Sequence, residues 1–472
     1  MTKPIEVRNP RTGEFDYIIL PPPPRLLVHK CNRARRAQIH WKNIGLEARI
    51  DALQQWKQAI IYGREQLTEA LVSDTGRLST SVLEIDSFLS SINRWCRLAP
   101  ELLQISAKNT AIPFITLQQA SVPYPLVGVI SPWNFPLLLS TIDTIPALLA
   151  GCAVIVKPSE IAPRFVAPLI TALNNVPDLR DVLSFAEGAG ETGATLVENV
   201  DLICFTGSVA TGQKVAEAAA RRFIPAFLEL GGKDPAIVLE SADLELATSA
   251  ILWGSVVNSG QSCLSIERIY VAESIFEEFY HQLVVKAHRL QLAHPRVDSG
   301  EIGPIIAEKQ AAIINDHLLD AVSKGALIHC GGQVEELGGG WWCRPTVITQ
   351  VNHSMKVMTE ETFGPIMPVM PFPTVEEAVY LANDSIYGLS AAVFAETEAE
   401  ALAVADQIDA GAISINDAAL TAIMHEGEKN SFKFSGLGGS RMGPASIKRF
   451  LRKKAFLIKT NSSNDPWWFN DQ

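Results

Sequence analysis

From residue 126 onward the chain alternates strand-like and helix-like segments, and this order constrains the fold more than any other feature. The runs 127–131 (VGVIS) and 152–157 (CAVIVK) are largely apolar over the length of a strand, which predicts buried strands. Further strands are predicted at 183–185 and 202–205, and helices at 144–149, 166–173 and 211–222. Strands that alternate with crossover helices form a parallel sheet, which binds ligands at the carboxyl ends of its strands.

A second unit of the same kind is predicted to begin near Gly231. Apolar periodicity predicts a helix from about 243 to 257, with Ser241 as its expected N-cap. The other elements predicted here are strands at 236–239, 269–271, 391–394 and 412–415, and helices at 275–290, 309–324 and 375–383. The sequence therefore predicts an α/β fold built from two such units.

The chain before residue 126 follows a different pattern. Residues 1–24 are predicted to be irregular, since they end in four prolines whose rings disfavour helix. Residues 26–103 carry apolar side chains spaced by three and four, which predicts packed helices. Prolines flank the stretch 114–122, so it is expected to be extended, either as an arm or as an edge strand.

Length and composition exclude several classes of protein. A chain of 472 residues is long enough for two or three domains with substantial cores. The formal charge of -11 argues against a general basic surface for nucleic acid, so no nucleic-acid partner is predicted. The amino terminus lacks the apolar core of a signal peptide. The most apolar stretch, 126–156, contains three prolines and an aspartate, which predicts interior protein and not a membrane span.

The seven cysteines are odd in number, widely spread and without a C-x-x-C pair. This pattern is typical of reduced thiols, so a cytoplasmic location is predicted. Neither a zinc-type spacing nor H-E-x-x-H occurs, and no metal is predicted. Cys263 differs from the others because it ends a glycine-bearing turn, 258–263 (NSGQSC), at an element boundary where a thiol can be exposed. It is a candidate nucleophile, although most free cysteines are small core residues.

Three predicted strands of the first unit end in loops that would meet at one edge of the sheet. These loops are 132–136 (PWNFP), 157–160 (KPSE) and 206–212 (TGSVATG). The third opens a helix with small residues, an arrangement that admits a diphosphate to backbone N–H groups, although a plain helix start remains the alternative. Lys157 and Glu160 would suit ribose hydroxyls, as donor and acceptor, with a surface ion pair as the alternative.

Two polar side chains and one acidic loop complete the set of candidates. Asn134 would offer an amide N–H to a developing oxyanion, or would simply serve a turn. Glu229 lies in the otherwise apolar run 227–231, where an unpaired carboxylate is costly, and this favours the role of a general base. The loop 360–365 (EETFGP) would grip a sugar and line a ring, or be an ordinary solvated turn.

Taken together, these segments resemble the NAD(P)-dependent aldehyde dehydrogenase superfamily over nearly the whole chain. Six motifs occur in the order typical of that family: 132–136, 157–160, 205–208, 229–233, 260–263 and 361–365. The resemblance implies that Cys263 attacks an aldehyde to give a thiohemiacetal, whose oxyanion is held by Asn134 and the backbone N–H of Cys263. Hydride transfer then leaves a thioester, which Glu229 hydrolyses by activating water.

The resemblance also implies how a dinucleotide binds. Lys157 and Glu361 would hold the two riboses, with Glu160 near the adenosine ribose and Phe363 beside the nicotinamide ribose. The remaining residues assigned to the cofactor are Ser208 at the diphosphate, Gly207, Trp133 and Gly231. A carboxylate at Glu160 accepts from a ribose 2′-hydroxyl and repels a 2′-phosphate, so NAD is preferred and NADP is kept as the alternative.

The fold implied by the resemblance has three parts. Residues 1–104 and 124–230 would form a Rossmann-like dinucleotide-binding domain, and residues 231–433 an α/β catalytic domain with the nucleophilic cysteine. Residues 105–123 and 434–472 would form an oligomerisation arm of β-strands and a C-terminal tail. The arm would pair 114–122 with a strand near 455–458 and join subunits, which predicts a homodimer or a homotetramer.

The substrate is expected to be a hydrophobic aldehyde, long-chain aliphatic or aromatic, because the side chains near the nucleophile carry no charge. The candidate pocket residues are Trp253, Ser262, Leu264, Trp95 and the loop 418–434. The alternative is a semialdehyde whose carboxylate is bound by Arg94, Arg97 or Lys429. Two further alternatives are a non-catalytic dinucleotide-binding member and a relative that forms acyl-coenzyme A, and the glutamate at 229 favours hydrolysis over the latter.

The C-terminal tail carries an aromatic cluster, 466–469 (PWWF). Such a cluster is expected to pack on a neighbouring subunit. Contact with a membrane surface is the alternative, since aromatic residues favour that interface, but four residues are too few to anchor a protein alone.

Overall fold

The structure is a computed structural model that describes residues 3–104, 107–111 and 115–459. The aromatic cluster predicted at 466–469 and the first residue of the stretch 114–122 lie outside the described residues. None of the helices in the described ranges has the length and apolar character that a membrane crossing needs.

Strands and helices alternate through most of the chain after residue 126. The strands are β1 Ile5–Arg8, β2 Phe15–Ile19, β3 Ala107–Asn109, β4 Ile115–Pro123, β5 Leu126–Ile130, β6 Ala153–Lys157, β7 Leu183–Phe185, β8 Leu202–Thr206, β9 Ala226–Glu229, β10 Asp234–Val238, β11 Ile266–Ala272, β12 Leu327–Cys330, β13 Val334–Leu337, β14 Gly340–Cys343, β15 Thr346–Thr349, β16 Ile366–Phe372, β17 Tyr387–Gly388, β18 Ser390–Phe394, β19 Ala412–Ile415, β20 Phe432–Lys433, β21 Gly436–Leu437 and β22 Leu451–Lys459. The helices are α1 Pro24–Asn43, α2 Leu46–Tyr62, α3 Arg64–Thr75, α4 Leu78–Leu102, α5 Pro136–Thr141, α6 Thr144–Ala150, α7 Val166–Leu173, α8 Pro177–Arg180, α9 Gly190–Val197, α10 Val209–Arg222, α11 Leu244–Val256, α12 Phe276–Arg289, α13 Glu308–Ser323, α14 Lys356–Thr359, α15 Val375–Asn383 and α16 Glu398–Ala405.

The N-terminal segment is partly regular, so the prediction that residues 1–24 are irregular is wrong for the strands at 5–8 and 15–19. Strands β1 and β2 form an antiparallel hairpin, closed by Gly13 at a φ of 73°. The last proline of the run does not exclude helix, because it occupies the first turn of α1, where a missing N–H costs nothing. Helices α1 to α4 confirm the helical region predicted at 26–103.

The first sheet confirms the predicted parallel α/β unit. Its strand order is β21-β9-β8-β5-β6-β7, and all neighbours are parallel except β21, which runs antiparallel to β9. Strands β5, β6 and β8 are buried throughout, as expected for a sheet covered on both faces. The first large core lies around this sheet and helices α1 to α4. The carboxyl ends of β5, β6 and β8 therefore open at one edge.

The second sheet has seven strands in the order β12-β15-β16-β11-β10-β18-β19. Only the edge strand β12 pairs in the antiparallel sense, and two further hydrophobic cores cover the faces of the sheet. Helix α11 leads toward Cys263, and its N-cap is Asp243, whose carboxylate accepts from Leu246 N at 3.1 Å. The expectation that Ser241 caps this helix is therefore wrong.

A third sheet, in the order β22-β4-β3, is the predicted β-strand arm. Strands β22 and β4 pair antiparallel over nine residues, from Leu451 opposite Pro123 to Lys459 opposite Ile115. The side chains of β22 after Leu451 are exposed. The domain boundaries stay a prediction. Residues 436–450, which were assigned to the arm and tail, contribute β21 to the first sheet and Ile447 and Phe450 to the first core.

Candidate active site

The turn that carries Cys263 is backbone-strained and closely packed. Asn258, Ser259 and Gly260 have consecutive positive φ values of 59°, 56° and 71°. A Cβ on Gly260 would lie 2.2 Å from the carbonyl carbon of Gly364, so only glycine fits against that loop. The turn delivers Cys263 partly exposed, whereas the other six cysteines are buried. Of the seven thiols, Cys263 is therefore the one that a reagent or substrate can reach.

Asn134 is held against this turn. Its side-chain Nδ2 donates to the carbonyl of Gln261 at 3.0 Å, two residues before Cys263. In return, Asn258 Nδ2 donates to the Asn134 carbonyl at 3.0 Å and to the Gln261 carbonyl at 2.9 Å. The buried guanidinium of Arg77 donates to the same Asn134 carbonyl at 2.9 Å. The loop after β5 and the turn before β11, 127 residues apart in sequence, thus form one hydrogen-bonded unit.

Glu229 is the last residue of β9, which lies in the first sheet between β8 and the edge strand β21. Its Oε2 accepts a hydrogen bond from the hydroxyl of Ser431 at 2.7 Å. The carboxylate interacts electrostatically with the thiol of Cys263, and it is one of the charges that raise the pKa of that thiol. The structure therefore brings Cys263 within the field of Glu229, and it brings Asn134 into contact with the turn of Cys263.

Charges and burial act together on the nucleophile. Burial, together with the carboxylates of Glu361, Asp234 and Glu229, raises the pKa of the Cys263 thiol to about 12. Lys429 opposes them and lowers this pKa. The thiol is thus protonated at neutral pH in the structure, and its ionisation is sensitive to the charges around it.

A buried ion pair fixes the loop 361–363, and sequence reasoning missed both of its members. Lys233 Nζ donates to Glu267 Oε2 at 2.6 Å and to the hydroxyl of Thr362 at 2.9 Å. The Glu267 carboxylate also accepts from the backbone N–H groups of Thr362, at 2.7 Å, and Phe363, at 2.8 Å. A glutamate inside the buried strand β11 was the available signal, because such a charge requires partners.

The anchored loop places Glu361 and Phe363 beside two other predicted cofactor residues. Glu361 Oε1 accepts from Gly232 N at 3.2 Å, and a Cβ on Gly231 would lie 2.5 Å from Glu361 Oε2. Burial, together with the neighbouring Glu267, raises the pKa of Glu361 to about 8. The ring of Phe363 meets that of Trp133 edge to face, with centroids 5.4 Å apart.

The other end of the proposed dinucleotide site lies at β6 and β8. Lys157, buried at the end of β6, binds Glu160 Oε2 through its ammonium at 2.9 Å. Ser208 precedes α10, a helix of 14 residues, but its hydroxyl donates to Thr211 Oγ1 and does not cap the helix backbone. Backbone N–H groups at an uncapped helix start attract a diphosphate. At Gly207 a Cβ would lie 2.7 Å from the Phe205 ring, so the loop requires glycine there.

The predicted pocket residues are placed unequally. Trp253, on α11, is 44% exposed, and Ser262 and Leu264 are partly exposed on either side of the nucleophile. Trp95 is only 2% exposed and packs in the first core with the guanidinium of Arg94 over its ring, so it offers little surface to a ligand.

Sequence reasoning overlooked apolar side chains on the short helix α5. They are partly exposed and begin directly after Asn134. Leu138 and Leu139 lie on the helix, Phe135 lies just before it and Ile142 just after it. Their signal was the apolar run after the second proline of 132–136. No group of three or more His, Cys, Asp or Glu residues that would hold a metal occurs within the described ranges.

The arrangement agrees with comparisons to known proteins. The pattern of the aldehyde dehydrogenase family matches residues 2–456. The 4,4'-diapolycopene aldehyde oxidase of Methylomonas sp is 38% identical, covering 94% of this chain and 84% of that protein. A Mycolicibacterium smegmatis protein named "Putative succinate-semialdehyde dehydrogenase [NADP(+)]" is 34% identical, covering 92% and 84%.

Solved structures give the same answer. The "Putative Aldehyde Dehydrogenase PutA" from Anabaena variabilis is 81% identical, with a TM-score of 0.98, covering 99% of this chain and 100% of that one. Betaine aldehyde dehydrogenase from Staphylococcus aureus, solved in complex with NAD+, is 31% identical with a TM-score of 0.92, covering 98% and 93%. On this combined evidence, the chain is an enzyme that belongs to the aldehyde dehydrogenase family.

Proposed function

We propose that the protein oxidises an aldehyde to a carboxylic acid through a covalent intermediate on Cys263, with NAD or NADP as the electron acceptor. One observation carries the proposal: the amide of Asn134 is bonded to the turn that presents the only thiol, among the seven, that is not buried. This juxtaposition supports a nucleophile with an oxyanion donor beside it.

In the first step the sulfur of Cys263 adds to the aldehyde carbon. A C–S bond forms, the thiol proton passes to solvent water at the partly exposed Cys263, and the electron pair of the C=O π bond moves to the oxygen, which becomes an oxyanion. Asn134 Nδ2 carries two hydrogens, and only one is used by the Gln261 carbonyl, so the second is left to stabilise that oxyanion with the backbone N–H of Cys263. The fixed position of Asn134 means that this donor does not have to reorganise during the reaction.

A bound dinucleotide would supply the acceptor for the hydride that leaves the carbon of the thiohemiacetal, and loss of that hydride would leave a thioester on Cys263. The residues that would hold it fit that role: the uncapped start of α10 at Ser208 for the diphosphate, and Lys157 with Glu160 for one ribose. Glu361 and Phe363 would hold the other ribose, on a loop that the Lys233–Glu267 pair fixes. The rings of Trp133 and Phe363 contact each other edge to face, which supports a place for both beside the nicotinamide end.

In the last step the thioester is hydrolysed. Glu229 accepts a proton from water, the water oxygen bonds to the acyl carbon, and the C–S bond breaks. The carboxylic acid leaves and the sulfur of Cys263 is restored. The electrostatic contact between Glu229 and Cys263 supports this role and favours hydrolysis over transfer to coenzyme A.

NAD is the proposed coenzyme. The carboxylate of Glu160 is 35% exposed and is bound to Lys157, so it remains able to accept from a ribose 2′-hydroxyl. The NAD+ complex of the Staphylococcus aureus neighbour supports this choice. The name of the Mycolicibacterium relative specifies NADP(+), so both coenzymes have to be assayed.

The proposed substrate is a hydrophobic aldehyde, long-chain aliphatic or aromatic. Apolar, partly exposed side chains follow Asn134 on α5, and Trp253 is 44% exposed. In the loop 418–434, Ile423 and Met424 are 66% and 53% exposed. Apolar surface of this kind binds an apolar chain by removing both from water. The name of the Methylomonas relative, a diapolycopene aldehyde oxidase, is consistent with such a substrate.

A second candidate substrate is a semialdehyde that carries a carboxylate. It is favoured by Lys429, a cation in the loop 418–434 whose charge acts on the thiol of Cys263. A positive charge so placed would pair with an anionic tail, and the Mycolicibacterium relative is named for succinate semialdehyde.

A panel assay tests these proposals. Reduction of each coenzyme is followed with decanal, benzaldehyde and succinate semialdehyde, with and without coenzyme A, and with Cys263→Ala as the control. We expect acid formation without coenzyme A, preference for the two apolar aldehydes, and loss of activity in the variant. Strong preference for succinate semialdehyde, abolished by Lys429→Gln, would establish the second candidate. Full activity of Cys263→Ala would contradict the mechanism.

Assembly and location are proposed on separate grounds. The exposed strand β22 of the third sheet supports a homodimer or homotetramer joined through the arm, since an exposed strand edge is stabilised by pairing. Light scattering of the intact protein and of a variant truncated after residue 450 measures the contribution of the arm. The seven unpaired cysteines support a cytoplasmic location.

A further inference from the structure

The carboxylate of Glu229 has one hydrogen-bond donor among the described residues, the hydroxyl of Ser431. The distance from Ser431 Oγ to Glu229 Oε2 is 2.7 Å, and both residues are partly buried. A hydrogen bond to an ionised carboxylate is stronger than one between neutral groups, so it restricts the carboxylate rotamer. The second oxygen, Oε1, has no such partner in this part of the chain.

The backbone brings Ser431 to this position through two strand pairings. Gly436, on β21, lies opposite Glu229 on β9. A Cβ on Gly436 would lie 2.6 Å from the Cβ of Ser431, so the absence of a side chain there lets Ser431 fold over β9. Strand β20, which begins at Phe432, is paired with β17 and fixes the chain directly after Ser431.

The nearby cation does not compete for this role. Arg441 interacts electrostatically with Glu229, but its guanidinium donates hydrogen bonds to the carboxylate of Asp143, at 2.8 Å, and to the hydroxyl of Thr206. The geometric restraint on the Glu229 side chain therefore comes from Ser431.

We propose that Ser431 is a positioning residue for hydrolysis of the acyl-enzyme. By holding Oε2, it keeps Oε1 directed at the water that attacks the thioester on Cys263. The inference rests on the proposed function, in which Glu229 is the general base. It goes beyond that function because it assigns a second residue, Ser431, to the deacylation step. It assigns Ser431 no part in the formation of the covalent bond.

The step can be isolated without a dinucleotide. p-Nitrophenyl acetate acylates a reactive thiol directly: a C–S bond forms, the ester C–O bond breaks, and p-nitrophenolate leaves. In deacylation the water oxygen bonds to the acetyl carbon, the proton goes to Glu229, and acetate leaves as the sulfur is restored. The acetyl group on Cys263 is followed by intact-protein mass after excess ester is removed.

Two variants of Ser431 and one control separate the outcomes. Ser431→Ala is expected to acetylate as fast as the wild type and to lose the acetyl group about tenfold more slowly. Ser431→Thr keeps the hydroxyl and is expected to deacylate at close to the wild-type rate. The control is Ser241→Ala, because the Ser241 hydroxyl also bonds a carboxylate, that of Glu400 at 2.7 Å, and this exposed pair includes no residue assigned to the active site.

Wild-type deacylation in Ser431→Ala, or equal slowing of acetylation and deacylation, would overturn the inference. So would failure of Ser431→Thr to restore the rate while its melting temperature and acetylation match the wild type. Glu229→Gln distinguishes the two levels of the argument. If it deacylates normally, the proposed role of Glu229 fails. If it slows deacylation and Ser431→Ala does not, only the positioning role fails.

Discussion

Alkylation of Cys263 by iodoacetamide should be slow at neutral pH and should accelerate as the pH rises. Burial, together with the neighbouring carboxylate of Glu361, raises the pKa of this thiol to about 12. At pH 7 only about one thiol in 100,000 would then be ionised, and each pH unit would increase the thiolate about tenfold. The rate is therefore expected to climb through pH 9 without a plateau.

Two substitutions change the charge around the thiol in opposite directions. At pH 9, which is above the pKa of about 8 that burial gives to Glu361, the substitution Glu361→Gln removes a negative charge while leaving an oxygen to accept from Gly232 N. A neighbouring charge shifts a pKa by about one unit or more, which would raise the thiolate population about tenfold. A thiolate of lower pKa is about threefold less nucleophilic per unit, so alkylation should be about threefold faster. Lys429→Gln removes the positive charge that lowers the pKa of the Cys263 thiol, so alkylation of this variant should be about threefold slower.

The assay is the rate of mass gain at Cys263 between pH 7 and pH 9, which is selective because the other six cysteines are buried. Lys433→Gln is the matched control, since this lysine lies in the same segment but is bound to the Asn383 carbonyl at 2.8 Å. A rate that is already flat below pH 8 would refute the reasoning, because it would require a largely ionised thiol. Equal effects of Lys429→Gln and Lys433→Gln would refute the role of Lys429.

Three further predictions concern the framework of the site. Gly260→Ala should lower the melting temperature and abolish activity, because Gly260 has a φ of 71° and an added Cβ would overlap the backbone carbon of Gly364. The expected loss in the free energy of unfolding is above about 1 kcal/mol. Gly190→Ala, with open space around its Cβ, is the control and should be neutral. Glu267→Gln should destabilise the protein by about 3 kcal/mol and weaken dinucleotide binding, because it leaves Lys233 buried without its counter-charge. The double variant with Lys233→Met should recover stability in thermal unfolding, and failure to recover would contradict this explanation. Burial raises the pKa of Glu84 from 4.5 to about 7, so the folded state holds the proton more tightly and this group makes stability fall as the pH rises from about 4.5 to 7. Glu84→Gln should flatten that part of the melting-temperature profile, and an unchanged profile would refute the assignment.

Local patterns in the sequence predicted much of the fold. Helices 166–173 and 375–383 and strands 183–185 and 412–415 agree with the structure at both ends. Such elements are predictable because each is buried on one face or along its whole length. Burial on one face spaces the apolar residues at the period of the helix or strand, and complete burial gives a continuous apolar run. The hairpin of β1 and β2 was missed, since short strands with exposed polar residues carry little periodicity.

For the site, the sequence supplied the residue types and their positions at the ends of predicted strands. It named Cys263, Asn134, Glu229 and the ribose-binding candidates from their positions at predicted element boundaries, and the resemblance to the aldehyde dehydrogenase superfamily implied their roles. It did not supply the contacts. Gln261 and Asn134 are 127 residues apart, and Ser431 and Glu229 are 202 apart.

Those contacts were decided by the tertiary structure alone. The pairing of β21 with β9 brings Ser431 over Glu229, and the hydrogen bond from Asn134 to Gln261 holds Asn134 against the turn that carries Cys263. The buried partnership of Lys233 with Glu267 was also hidden, since a charge in a strand shows that a partner is needed but not which residue it is. Chain order constrains local conformation, whereas the distance between remote side chains depends on how whole sheets pack together.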